Sequence, residues 1–164
     1  MSCSSYLKKV FDHNEAKKYI NFISKKIKEI NNNTKKEDRI NAIAFSGNSG
    51  AGIAFPVSYK TGLPLICIRK SNEACHGQLI EASPLLGKWD HLNYIIIDDL
   101  ICSGSTIRRI VTAIKEYFFD ATLTSIVLYE EHGRRKEFCV DSMDVLSSVK
   151  IINVTNLGDD LNVS

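Results

Sequence analysis

Tyr94-Ile95-Ile96-Ile97-Asp98-Asp99-Leu100-Ile101-Cys102-Ser103-Gly104-Ser105-Thr106 is the stretch whose reading decides the fold. Residues 94–97 are apolar without alternation, the pattern of a strand covered on both faces. Two carboxylates, Asp98 and Asp99, end that run. A turn of small residues follows, and then Ile107, Ile110, Val111, Ile114 and Phe118 recur at helical spacing. Small residues let backbone N–H groups converge on phosphate oxygens, and the first turn of a helix adds unpaired N–H groups and the positive end of its dipole. Ser103, Ser105 and Thr106 supply hydroxyl donors. Helix capping accounts for Ser103 or Ser105 alone, but not for both beside Thr106 and the paired acids. Adjacent carboxylates at the end of a buried strand are costly unless something binds them. Sugar hydroxyls and a divalent cation would do so. Mg²⁺ suits a shell shared between carboxylate and substrate phosphate, because it keeps several waters. The plain alternative is an exposed turn that stops the strand.

Further short apolar runs lie at 42–45, 63–68, 123–129 and 149–154, and several lack alternation. Together with the run at 94–97 they predict an α/β fold with a mostly parallel five-stranded sheet and flanking helices. Strand 94–97, its helix and strand 123–129 make a βαβ unit, whose crossover is expected to be right-handed. Upstream, Ala16, Ile20, Ile23, Ile27 and Ile30 predict an amphipathic helix over 14–30 packed on the core. Asn31-Asn32-Asn33 ends it, and 31–40 reads as a loop. Residues 70–92 have little periodicity and read as a long irregular segment, either a functional lid or a concealed short helix around 77–86.

With 164 residues the chain fits one domain, its core at about 40–155. The formal net charge of +2 and short basic runs (Lys25-Lys26-Lys28, Lys35-Lys36, Arg134-Arg135-Lys136), interleaved with acids, exclude a dedicated nucleic-acid binder but not an anionic small molecule. The five cysteines are odd in number and form no C-x-x-C pair, which favours reduced thiols in a cytoplasm over a disulfide frame or zinc site. No run reaches the roughly 18 apolar residues of a membrane span, so no membrane partner is expected.

Four hydrophobics, two acids, two hydrophobics and a small-residue turn ending in Gly-x-Thr resemble the signature of the type I phosphoribosyltransferases, which bind 5-phosphoribosyl 1-pyrophosphate (PRPP). The resemblance covers about residues 40–130. It implies that Asp98 and Asp99 hold the ribose hydroxyls and Mg²⁺, and that Cys102, Ser103, Gly104, Ser105 and Thr106 hold the 5′-phosphate. The segment 43–52 resembles the family's pyrophosphate loop, which assigns that role to Asn48, Ser49 and Gly50. Its small-residue composition is similar to that of phage-encoded relatives. The segment 63–70 resembles the next strand, which in adenine-type members also ends in Arg-Lys, here Arg69-Lys70.

The resemblance implies transfer of the phosphoribosyl group to a nucleobase with release of pyrophosphate, a small hood built from the terminal segments, and a homodimer. Arg69, Lys70, His76 and Glu81 are the expected catalytic residues, the last two as titratable groups of a lid. For His76 and Glu81, ordinary exposed loop positions remain open. Two departures stand out. Asn48-Ser49-Gly50 replaces the Arg-Gly of many purine enzymes. Cys102 occupies the place where enzymes for 6-oxopurines carry an aspartate, which argues against hypoxanthine, guanine or xanthine, and the favoured acceptor is an adenine-like purine rather than a 6-oxopurine or orotate. For the base pocket, Tyr129, Glu130 and His132 follow the fourth run, and Trp89, Tyr6 and Phe11 are of a type that stacks on bases; core or surface roles stay open for all six. A non-catalytic regulator that senses PRPP or a nucleotide is the alternative on the same fold.

Overall fold

The computed structural model describes residues 7–70, 79–88, 91–101, 103–129 and 149–154. Strands β1 (Ala42–Phe45) and β4 (Asn93–Asp98) are buried along their whole length, as their unbroken apolar sequences require. They pair in parallel, Ile43 beside Ile95 and Ala44 beside Ile96. On the far side of β1 lies β2 (Leu65–Ile68), and beyond β4 lie β5 (Thr122–Leu128) and β6 (Lys150–Asn153), all parallel. A short antiparallel strand, β3 (Ile80–Ala82), closes the edge beside β2, so the order is β3-β2-β1-β4-β5-β6.

Among the described residues the strands number six, where about five are expected. The added strand falls inside the segment read as irregular. Its three residues run buried, exposed, exposed, too short for any periodicity to show. Its pairing with β2 places Glu81 in regular structure rather than in a loop, and a 3-10 turn, Pro84–Lys88, follows it.

The sheet's two faces carry separate apolar clusters because successive side chains point to opposite sides. On one face Ala42, Ala44, Tyr94, Ile96 and Ile126 meet Ile107, Ile110, Val111 and Ile114 of helix α4 (Ser105–Tyr117). Each such aliphatic side chain contributes about 1.5–3 kcal/mol by leaving water. On the other face Ile43, Phe45, Ile95, Ile97 and Val127 meet Ile53, Ala54 and Val57 of α3 (Gly47–Thr61), and Tyr19, Ile23 and Ile27 of α2 (His13–Asn32). The amphipathic N-terminal helix is thus a layer of the core. Asp12 caps it, its carboxylate accepting from the N–H groups of Asn14 and Glu15. A single turn, α1 (Lys8–Phe11), precedes it and lies against α3, with Val10 over Gly52. The outer terminal segments expected to form a hood, 1–6 and 155–164, lie outside the described residues.

Chain order fixes where the two central loops open. From β1 the chain passes through α3 to β2 on one side. From β4 it passes through α4 to β5 on the other. The sheet's direction of progress reverses between β1 and β4, and at their carboxyl ends the two connections part to opposite faces. A crevice at such a switch point is where open α/β sheets take ligands. At the opposite, amino ends, Asn41 and Asn93 pin the same two strands. The Asn41 side chain accepts from the Asn93 N–H at 2.9 Å and donates to the His91 carbonyl at 2.8 Å.

Candidate functional site

A cavity of about 530 Å³ opens at this switch point. One wall is the start of α3, with Ser46, Gly47, Asn48 and Ser49. The opposite wall is the loop after β4 and the start of α4, with Leu100, Ile101, Ser103, Gly104, Ser105 and Thr106. Asp98 and Asp99 lie between them, and Lys70 and Arg109 complete the lining.

Both helix starts are built to receive an anion. Neither carries a side-chain cap, and neither has an acid in its first turn. Within each helix nothing of its own offsets the terminal N–H groups and the dipole, and both first turns line the cavity. Gly104 is the N-cap of α4 with φ +72°, the left-handed region in which a side chain is strained. Ser103 and Ser105 do not cap the helix in the usual way; their hydroxyls meet each other at 3.0 Å.

The acid pair is asymmetric. Asp98 is buried and ends β4, whereas Asp99 is only partly covered. Burial pushes the Asp98 carboxyl up from 3.8 to about 7, and a hydrogen bond to Asp99 and that neighbour's charge add to the rise. The Asp99 N–H at 3.0 Å and the Ser49 hydroxyl at 3.4 Å pull the other way. Without a ligand the Asp98 carboxyl is therefore largely protonated below neutral pH and gives up its proton as the pH rises through about 7. Among the described residues no cluster of three or more His, Cys, Asp or Glu gathers. A cation here would need oxygens from a ligand as well as from the carboxylates. That is the mixed shell Mg²⁺ favours, and the residues present fit it.

The expected site residues divide clearly. Asn48, Ser49, Asp98, Asp99, Ser103, Gly104, Ser105, Thr106 and Lys70 all line the cavity. Gly50 does not. A Cβ there would stand 3.0 Å from the Ile97 carbonyl oxygen and from Phe45 Cβ, so its missing side chain serves the close approach of α3 to the sheet. Arg69 and Glu81 also stand outside the lining, joined to each other by a 2.5 Å ion pair across β2 and β3. Cys102, His76, Trp89, Glu130, His132 and Tyr6 lie outside the described residues. Of the aromatic candidates, Phe11 is exposed. Tyr129 is fully buried in the core, and its hydroxyl donates to the Ser49 carbonyl at 2.7 Å. It anchors the first turn of α3 rather than presenting itself to a base.

Arg109 is the residue the sequence reading missed. It stands in α4 among apolar positions, and nothing local marks it. Its guanidinium donates to Ser46 Oγ at 3.0 Å, and Ser46 Oγ donates to the Ile68 carbonyl at 2.6 Å.

No family model matches the sequence. A hypoxanthine/guanine phosphoribosyltransferase of Methanothermus fervidus is 27% identical over 97 residues, which are 53% of this chain and 51% of that protein. The chain thus spans about half the length of this curated relative. Among solved structures, adenine phosphoribosyltransferase from Saccharomyces cerevisiae, complexed with adenine, superposes with a TM-score of 0.63 at 17% identity, covering 92% of this chain and 84% of that one. Orotate phosphoribosyltransferase from Aeropyrum pernix gives 0.62 at 14% identity, covering 93% and 77%. No described helix is long and apolar enough to cross a membrane. The chain carries the type I phosphoribosyltransferase fold.

Proposed function

We propose that the protein is a Mg²⁺-dependent phosphoribosyltransferase that moves the 5-phosphoribosyl group of PRPP to a nucleobase and releases pyrophosphate. One observation carries the reading: an acid pair, with Asp98 buried and Asp99 partly covered, stands between two uncapped helix starts across one cavity. A ligand that satisfies all three parts carries a phosphate at one end, a pyrophosphate at the other and sugar hydroxyls between them. On this reading Ser103 to Thr106 take the 5′-phosphate, Asp98 and Asp99 take the ribose hydroxyls and the cation, and Asn48 and Ser49 face the pyrophosphate.

In the reaction the bond from C1 of the ribose to the pyrophosphate oxygen breaks, and its electron pair leaves with pyrophosphate. A nitrogen of the base then forms the new bond to C1, and its proton passes to the departing pyrophosphate or to solvent. Bound Mg²⁺ would neutralise part of the departing charge. Lys70 and the N–H groups at the start of α3 supply fixed positive potential on the same side. Asp98 must lose its proton for the pair to hold a cation, which burial opposes and ligand binding drives.

An adenine-like purine is the favoured acceptor, because Cys102 replaces the aspartate of 6-oxopurine enzymes and Arg69-Lys70 follows the adenine-type pattern. A homodimer in the cytoplasm completes the reading, and sedimentation at high concentration tests its assembly. The deciding assay incubates the protein with PRPP, Mg²⁺ and adenine, hypoxanthine, guanine, xanthine or orotate, and separates the nucleotide products. Formation of AMP with pyrophosphate is expected. Nucleotide from another base alone would overturn the adenine preference. PRPP binding with no product from any base would favour the sensing regulator instead.

A further inference from the structure

We propose that Arg109 is the side chain that receives the pyrophosphate group, supplying from α4 the cation that the first turn of α3 lacks. This rests on the phosphoribosyl reading above and adds to it a residue that no local motif marks. Asn48 and Ser49 bring only neutral donors to that end of the cavity. The cationic side chains among the described lining residues are Lys70 and Arg109. Arg109 is held where the charge is needed. Its guanidinium bonds Ser46, the residue that immediately precedes the helix start, and Ser46 is itself tied to the end of β2.

The two consecutive arginines of α4 part in opposite directions. Arg108 donates at 2.8 Å to the carbonyl of Ser103, in the loop read as the 5′-phosphate site. Arg109 reaches instead to the ends of β1 and β2, the wall read as the pyrophosphate side. Among the described residues Arg109 has no carboxylate partner, and its Nε is buried without a hydrogen-bond acceptor. A half-buried cation with unused donors is costly to keep unless an anion completes it. The planar fork of a guanidinium matches phosphate oxygens in pairs, with Ser46 fixing its orientation. As the bond at C1 breaks, negative charge grows on the group that Arg109 faces, so the contact strengthens along the reaction.

The test is calorimetric titration of three ligands with Mg²⁺ (PRPP, inorganic pyrophosphate and ribose 5-phosphate) into wild type, Arg109→Gln and Arg109→Lys. Loss of charge-assisted hydrogen bonds predicts that Arg109→Gln weakens pyrophosphate and PRPP about ten- to a hundredfold. Ribose 5-phosphate should bind as before, and Arg109→Lys should fall between, keeping the charge without the fork. If Arg109→Gln does not fold, the same contrast between pyrophosphate and ribose 5-phosphate is read in Arg109→Lys. Unchanged pyrophosphate affinity, or equal weakening of all three ligands, would overturn the assignment while leaving the phosphoribosyl reading in place. Failure of wild type to bind PRPP or pyrophosphate would overturn both.

Discussion

Replacing Asp98 by Asn should stabilise the protein in the absence of ligand, and by an amount that grows with pH. The folded-state value of this carboxyl is raised from 3.8 to about 7, chiefly by burial. A group raised in this way favours the folded state while it is protonated. Its contribution is complete below 3.8 and is lost as the pH rises through 7. The full range is worth at most about 4 kcal/mol, of which about 2–3 kcal/mol falls between pH 5 and 8. Asparagine imitates the protonated acid. Its Oδ1 can still accept from the Asp99 N–H and the Ser49 hydroxyl, and its amide can donate to the Asp99 carboxylate. The variant therefore lacks the pH-dependent loss. Urea or thermal unfolding of both proteins at pH 5, 6, 7 and 8 is the assay. The variant should lead by about 1–2 kcal/mol at pH 5 and by a further 2–3 kcal/mol at pH 8, at about 2–4 °C in Tm per kcal/mol for this size. Stability profiles that run parallel from pH 5 to 8 would refute the claim that Asp98 is buried against its own charge.

The same substitution should carry the opposite sign for the ligand. Asp98→Asn and Asp99→Asn should each weaken Mg·PRPP roughly ten- to more than a hundredfold, and equal affinities in all three proteins would remove the pair from the site. Because the cation needs the ionised pair, wild-type affinity for Mg·PRPP should fall as the pH drops below about 7. Subtracting the profile of Asp98→Asn, which cannot titrate there, isolates this effect from titration of the ligand's own phosphates, and an unchanged difference between pH 6 and 8 counts against it. Gly50→Ala should cost about 1–3 kcal/mol in unfolding measurements, since its Cβ meets the Ile97 carbonyl and Phe45 at 3.0 Å and the carbonyl belongs to a strand that cannot retreat. Glu81→Gln should change stability by less than about 1 kcal/mol, its ion pair with Arg69 being partly exposed; unchanged turnover in the same variant would take Glu81 out of the mechanism.

What the sequence disclosed follows from how far each signal reaches along the chain. The unbroken apolar runs of β1 and β4 declare a sheet covered on both faces, and burial bears this out residue by residue. The acid pair and the small residues after it are contiguous, so a single window of sequence contains the whole turn. β3 could not be read in this way. Three residues on an edge, held by β2, owe their conformation to hydrogen bonds from elsewhere in the chain. Gly50 illustrates a different limit. In sequence it belongs to a run of small residues suited to phosphate, but in three dimensions it stands one turn further round and touches the sheet.

Arg109 and Tyr129 show why the site's second layer escapes such reading. Each acts on the start of α3 from far away in the chain, Arg109 through Ser46 at a separation of 63 residues and Tyr129 through the Ser49 carbonyl at 80. Periodicity sorts Arg109 as one more polar position on a helix and Tyr129 as the end of an apolar strand, and both classifications are correct as far as they go. Their joint effect appears only when β1, β4 and β5 lie side by side, with α4 on one face and α3 on the other. The two side chains then hold the same short turn from two directions, one through its preceding hydroxyl and one through its own carbonyl. That turn carries no cap and no acid of its own. Its geometry is set by residues that the rest of the fold has already fixed, which is the condition for binding an anion without first having to order the loop that receives it.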